Sequence, residues 1–327
     1  MRPYLLKGHE RPLTYVKYNH DGDLLFSMAK DKKPTVWWAD DGQRLGTFVG
    51  VNGATYMCDV TRDSRVLITA SGDSTVRLWS VYDGQELFKF AFNEPCRACS
   101  FATGDRLAVS TTDMFLGSAP AIHVLKIAED PLDQGQHSTP VRSILMDDAG
   151  RITRAFFTPL NDQIVTSHED GTLRRFDVET GKCLQEEKVH EKIINDLSLS
   201  QDKTHAVTAS SDRTSHLVDV DTFQIMKTYK PERPVLTATM SPKFDHIALG
   251  GGQDAASVTM TAAAAGKFEA MFYHKHYTEE FGRVRGHFGP LNALAFAPDG
   301  KGFATGGEDG YVRLHHFDSN YLDVRFF

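Results

Sequence analysis

Residues 66–80 read VLITASGDSTVRLWS, two runs in which apolar and polar side chains alternate, joined by Gly72-Asp73. Alternation with a period of two is the signature of a half-buried strand, and a Gly-Asp pair between two such runs marks a tight turn. The segment therefore predicts an antiparallel strand pair. The same strand, Asp-containing turn and strand recur along the chain, with the Asp at residues 31, 73, 113, 170, 212, 254 and 309 and intervals of 42, 40, 57, 42, 42 and 55 residues. A period of about 40 to 45 residues is that of one four-stranded propeller blade. The two long intervals hold insertions that read as loops: GSAP with AEDPLDQGQHSTP in the first, AAAAGKFEAMFYHKHYTEEFG in the second. Seven anchors predict an all-β, seven-bladed WD40 propeller, with residues 1–327 as one domain.

The ends of the chain repeat one plan. GHERPLTYVKYNHDGDLLFSMAKD and GHFGPLNALAFAPDGKGFATGGED both run from Gly-His through an apolar strand, an Asp-Gly turn and a second strand to the anchor Asp. After Asp309 only one regular strand, YVRLHHF, remains, while the start supplies RPYLL. The start is expected to complete the last blade, because an open ring would leave exposed strand edges.

In such a blade a His, a Ser or Thr, the turn Asp and a Trp can form a buried hydrogen-bond set, since buried polar groups need partners. Blade one has all four in His9, Ser27, Asp31 and Trp37. Asp73 and Trp79, Asp170, His190 with Asp212, and His287 with Asp309 are the matching residues elsewhere. Val51 replaces the His in blade two, while Phe176, Val218 and His315 replace the Trp in blades four, five and seven. Those blades are expected to rely on apolar packing between neighbours.

Charge and cysteines narrow the function classes. The 327 residues carry 36 basic and 43 acidic side chains, a net charge of -7, which disfavours a protein whose main task is wrapping nucleic acid. The start has no signal-peptide apolar stretch, and no segment approaches a membrane span, so an intracellular location is expected. Cys58, Cys96, Cys99 and Cys183 are too scattered for a disulfide framework, which fits a reducing compartment.

Candidate chemistry is thin. Cys96-x-x-Cys99 lies in a blade strand without a second ligand pair, and His274 and His276 with Glu279 and Glu280 resemble a metal cluster only in composition. His315 and His316 point to opposite faces of a strand. GGGQDAA lacks the Gly-Lys-Ser/Thr ending of a phosphate loop, and neither paired carboxylates nor G-x-S-x-G is present. No catalytic residue, cofactor or metal site is expected.

The start MRPYLLKGHERPLTYVKYNHDGDLLFSMAKD, the stretch SPKFDHIALGGGQDA and the run GKFEAMFYHKHYTEEFGRVRGHFGPLNALAFAPDGKGFATGGEDGYVRLHHFD closely resemble subunit i of eukaryotic translation initiation factor 3. The resemblance extends over essentially the whole chain. It implies a non-catalytic cytoplasmic scaffold, a monomer within a hetero-complex with subunits b and g, and through them the small ribosomal subunit, supporting assembly and scanning. It implies neither direct sequence-specific nucleic-acid binding nor a membrane. A helix from the C-terminal region of subunit b is expected, on the same resemblance, across blades five and six. Asp202, Asp219 and Asp221, with Leu217 beside them, are the candidate protein-binding residues, an acidic rim around an apolar contact. Two other classes remain open from the residues alone: a signalling adaptor binding receptor or kinase peptides, and a propeller enzyme with groups converging on the central channel.

Overall fold

The computed structural model of the chain describes residues 3–146, 150–252, 268–318 and 321, apart from the side chains of 131 and 132. Seven four-stranded antiparallel sheets form a ring, each one a blade. The first strands of neighbouring blades pack on one another, so they line the axis and the fourth strands form the rim. Blade one comprises Leu13–Tyr18, Leu24–Ala29, Thr35–Trp38 and Arg44–Thr47. Blade five comprises Ile194–Leu199, His205–Ser210, Ser215–Asp219 and Ile225–Tyr229.

Blade seven is closed by the chain's own start. Its first three strands are Leu291–Phe296, Gly302–Gly307 and Tyr311–His316, and its fourth is Tyr4–Lys7, paired from Tyr4 with Leu314 to Lys7 with Tyr311. Strand parity sets which side chain is buried: Leu6 is 2% exposed among Leu13, Trp37, Val312 and Leu314, whereas Leu5 is 56% exposed.

Blades are held together face to face by separate apolar clusters. Phe26, Phe48 and Trp79 fill the space between blades one and two, and Phe272, Phe296 and Phe303 that between six and seven. Strands buried on both faces explain the near-continuous burial of second strands such as Leu24–Ala29. In every blade the pairing of the first two strands shifts register once, as between Leu13 and Tyr15, a bulge that sharpens the twist next to the axis.

The insertions differ from their reading as loops. The first holds a 3-10 helix, Pro131–His137, fastened by Gln134, whose side chain accepts from Ala128 N and donates to the Lys126 carbonyl. In the second, Glu269–His274 and Glu280–Arg285 are the third and outermost strands of blade six, so among the insertion's described residues the turn is confined to the short connection between them. The charges that suggested a loop serve the blade: buried Glu269 accepts from Arg283 (3.1 Å) and Arg285 (2.6 Å). Asp254, the sixth anchor, lies outside the described residues.

Candidate interaction surface

Each described Asp turn joins the second and third strands on the face where one blade's outermost strand leads into the next blade's first. Contact between turn and connection is close. At Gly171 (φ 86°) a Cβ would lie 2.1 Å from the His190 carbonyl oxygen, so only glycine fits. The polar sets span this gap. In blade one His9 Nδ1 lies 2.8 Å from Asp31, His9 Nε2 lies 2.7 Å from Ser27 Oγ, and Trp37 Nε1 donates to the same Oγ at 2.8 Å. Blade five repeats it with His190, Asp212 (2.9 Å) and Thr208 (2.7 Å), and blade seven with His287, Asp309 (3.0 Å) and Thr305 (2.8 Å). Burial alone would raise the Asp31 carboxyl. Donation by His9 and by the Glu10 and Lys33 amides outweighs it and holds the group below its ordinary value.

In blades two, three, four and seven an arginine reaches the anchor Asp. Arg77 Nη2 donates to Asp73 at 3.1 Å where Val51 has displaced the His, and Asp73 also accepts from Asn52 N and Thr75 Oγ1; Trp79 keeps its bond to Thr69 (2.9 Å). Arg174 does the same for Asp170 (3.1 Å), and Arg313 joins Asp309 (3.0 Å) in blade seven. In blade three Arg97, from the first strand, donates to both oxygens of Asp113. Apolar packing is thus only part of what holds these blades. Phe176 and Val218 are buried in Trp positions, and His315 stacks on Phe303 with ring centroids 4.5 Å apart.

Near the axis, Arg154 and Asp196 form a buried pair at 2.8 Å that links blades four and five, with Thr237 Oγ1 of blade six donating to the other Asp196 oxygen at 2.8 Å. Lys17 meets Asp59 at 2.9 Å, and Phe101 N donates to Asp59 at 2.9 Å. These residues are satisfied by one another. No group of three or more potential metal ligands exists among the described residues. His274 ends a strand, and its Nδ1 accepts from His276 N (3.2 Å), closing a turn. Cys96 and Cys99 are fully buried, and burial pushes the Cys99 thiol well above its ordinary value.

The blade-five candidates separate into rim and core. Asp202, Asp219 and Asp221 all lie on the face opposite the Asp turns, where the first pair of strands and the last pair are joined. Asp202 is exposed and accepts from Ser200 Oγ and Thr204 N, which hold its carboxyl down at about 2. Asp219 caps a turn, accepting from Thr222 N (2.7 Å), Thr222 Oγ1 (2.8 Å) and Asp221 N (3.0 Å). Asp221 is 88% exposed and 3.7 Å from Arg175. Leu217 needs correction. It is 2% exposed, packed with Val235 and Leu249 of blade six, and cannot offer apolar surface to a partner. The exposed apolar residues beside this rim are Ile225 and Met226, 42% and 49% exposed, at the start of the outermost strand. Their position one strand further out was not readable from a five-residue run whose inward side is unmarked.

Comparison with known proteins matches residues 1–326 to a family model described as EIF3I. Among curated relatives, "Eukaryotic translation initiation factor 3 subunit I" of Bombyx mori is 46% identical over 327 residues, covering 100% of this chain and 98% of that protein. The proteins of the same name in Homo sapiens and Schizosaccharomyces pombe are 44% and 43% identical, over 100% of this chain and 99% of each relative. The chain belongs to the eukaryotic translation initiation factor 3 subunit I family.

For this subunit I family member, the arginines were the residues that sequence reasoning missed, and a signal for them exists. Asp-x-x-x-Arg occurs at Asp73–Arg77, Asp170–Arg174 and Asp309–Arg313. Four residues on, from the turn into the third strand, a long side chain can fold back over the Asp.

Proposed function

We propose that the chain is a non-catalytic scaffold subunit of eukaryotic translation initiation factor 3, working in the cytoplasm as one domain over residues 1–327. It binds the C-terminal region of subunit b, and with subunit g it supports assembly of the initiation complex on the small ribosomal subunit and scanning. The observation that carries this is the full-length match to relatives that bear the subunit I name. The rim of blade five supports the partner reading, because Ile225 and Met226 sit exposed next to Asp219 and Asp221. Apolar area ringed by carboxylates suits a basic amphipathic helix, with the apolar part carrying affinity and the charges guiding encounter.

Calorimetric titration of the full chain with a peptide from the C-terminal region of subunit b tests it. Met226→Asp should cost on the order of 1 to 4 kcal/mol of binding free energy, and Asp221→Lys should weaken binding most at low salt. Asp219→Lys is a poorer probe, since it also removes a turn cap. Unchanged affinity in both variants would remove blade five from the interface.

A further inference from the structure

The Asp turn of blade one differs from its counterparts in charge. It reads Lys30-Asp31-Lys32-Lys33, whereas the other six read Gly72-Asp73-Ser74, Thr112-Asp113-Met114, Glu169-Asp170-Gly171, Ser211-Asp212-Arg213, Gln253-Asp254-Ala255 and Glu308-Asp309-Gly310. Two segments bring further cations to the same corner. Lys30 N donates to the Pro12 carbonyl (3.0 Å), and Asp31 accepts from both Glu10 N (3.2 Å) and Lys33 N (3.1 Å), so the connection that carries Arg11 is fastened alongside the turn. Arg11, Lys30, Lys32 and Lys33 are all exposed, as is Lys7 at the end of the closing strand.

The local carboxylates do not neutralise them. Asp31 is buried and committed to His9 and the backbone, and Glu10 reaches only Lys33, at 3.4 Å between exposed groups. On the adjoining turn of blade seven, Asp309 is engaged by His287 and Arg313, and Glu308 accepts from Asn292. No carboxylate among the described residues pairs with Arg11, Lys30 or Lys32. A chain of net charge -7 thus concentrates four uncompensated cations, Lys7, Arg11, Lys30 and Lys32, at one corner of one face, with Lys33 beside them. Neither segment, 7–12 nor 30–34, contains a large aliphatic residue, and the one ring in them, His9, has no exposed side-chain area. Base stacking and insertion into a lipid surface both need exposed aromatic or aliphatic side chains. What remains is a set of point charges on flexible stems, which suits phosphates spaced along a strand.

We propose that this corner of blade one binds the phosphate backbone of RNA without regard to base sequence. RNA is the polyanion that a translation initiation factor meets. The site lies on a different blade and the opposite face from the blade-five rim, so it stands or falls independently of the subunit b reading.

Fluorescence anisotropy of the full chain with labelled oligouridine and oligoadenine of about 20 nucleotides, over a salt series, tests it. Three or four phosphate contacts give a plot of log affinity against log salt with a slope of about −2 to −3, the same for both oligomers. Lys30→Gln/Lys32→Gln/Lys33→Gln should flatten that slope by about 2 and weaken binding at least about tenfold near 50 mM salt. A control with Lys182→Gln/Lys188→Gln/Lys301→Gln should behave as the unaltered chain. The proposal is overturned if the blade-one variant binds as well as the unaltered chain, if the control loses as much, if one oligomer is strongly preferred, or if phosphatidylserine vesicles bind the corner while RNA does not.

Discussion

Closure of the ring by the start of the chain makes a sharp prediction at two adjacent leucines. The strand Tyr4–Lys7 orders four residues, at roughly 1 to 2 kcal/mol of backbone entropy each, and its ladder to Tyr311–His316 returns roughly 0.5 to 1.5 kcal/mol per hydrogen bond. These terms nearly cancel, which leaves the buried side chain to decide whether the strand stays. That side chain is Leu6, 2% exposed against Trp37, Val312 and Leu314. Leu6→Ala should therefore cost about 2 to 5 kcal/mol, from lost transfer energy and the cavity left behind. With an unfolding entropy of about 2.1 cal/mol/K per residue over 327 residues, the melting temperature should fall by roughly 3 to 7 °C. Leu5→Ala, at a side chain 56% exposed, should leave it within about 1 °C. Differential scanning calorimetry of the two variants, with a deletion of residues 1–7, makes the comparison; the deletion should resemble Leu6→Ala. Equal effects at Leu5 and Leu6, or a deletion that melts like the unaltered chain, would show that the strand does not close the ring through Leu6.

Asp31→Ala removes the partner of a His9 ring with no exposed side-chain area and two turn hydrogen bonds. It should destabilise by roughly 2 to 4 kcal/mol, read as a shifted urea midpoint with unchanged slope. Acid should weaken the fold before the carboxylates titrate. Burial pushes His123, His168 and His216 from 6.5 down to about 4, so between those values the unfolded chain binds more protons than the native one and stability falls as pH falls. The anchors Asp31, Asp73, Asp170 and Asp212 are held below 3.8 and add their loss only under more acid conditions. A melting temperature flat from pH 7 to pH 4.5 would contradict this.

Much of the fold was legible because the Asp turn recurs at a nearly fixed interval and because strand parity separates the two faces of each blade. The start YLLK could be matched to the last blade for the same reason, as no alternating pattern follows YVRLHHF in the sequence. Legibility failed where one local signal served two purposes. Glu269 and Glu280 read as part of a solvated loop, yet with Arg283 and Arg285 they form an ion-pair ladder across two strands of blade six. Leu217 lies in SHLVD, where alternation marks a strand without saying whether a given face meets a neighbouring blade or a partner. The arginines that replace His in blades two and four required knowledge of which side chains reach back to the turn, a property of blade geometry rather than of residue type.

The central claim concerns the assembly in which the chain works. Affinity capture of the tagged full chain from an extract of cells that express it, followed by quantitative mass spectrometry, tests that claim most directly. The account predicts recovery of the other subunits of translation initiation factor 3 in near-stoichiometric amounts, with subunits b and g retained at the highest salt and subunit b depleted by Met226→Asp. Recovery of receptors or kinases in place of those subunits, or of no stoichiometric partner, would contradict it.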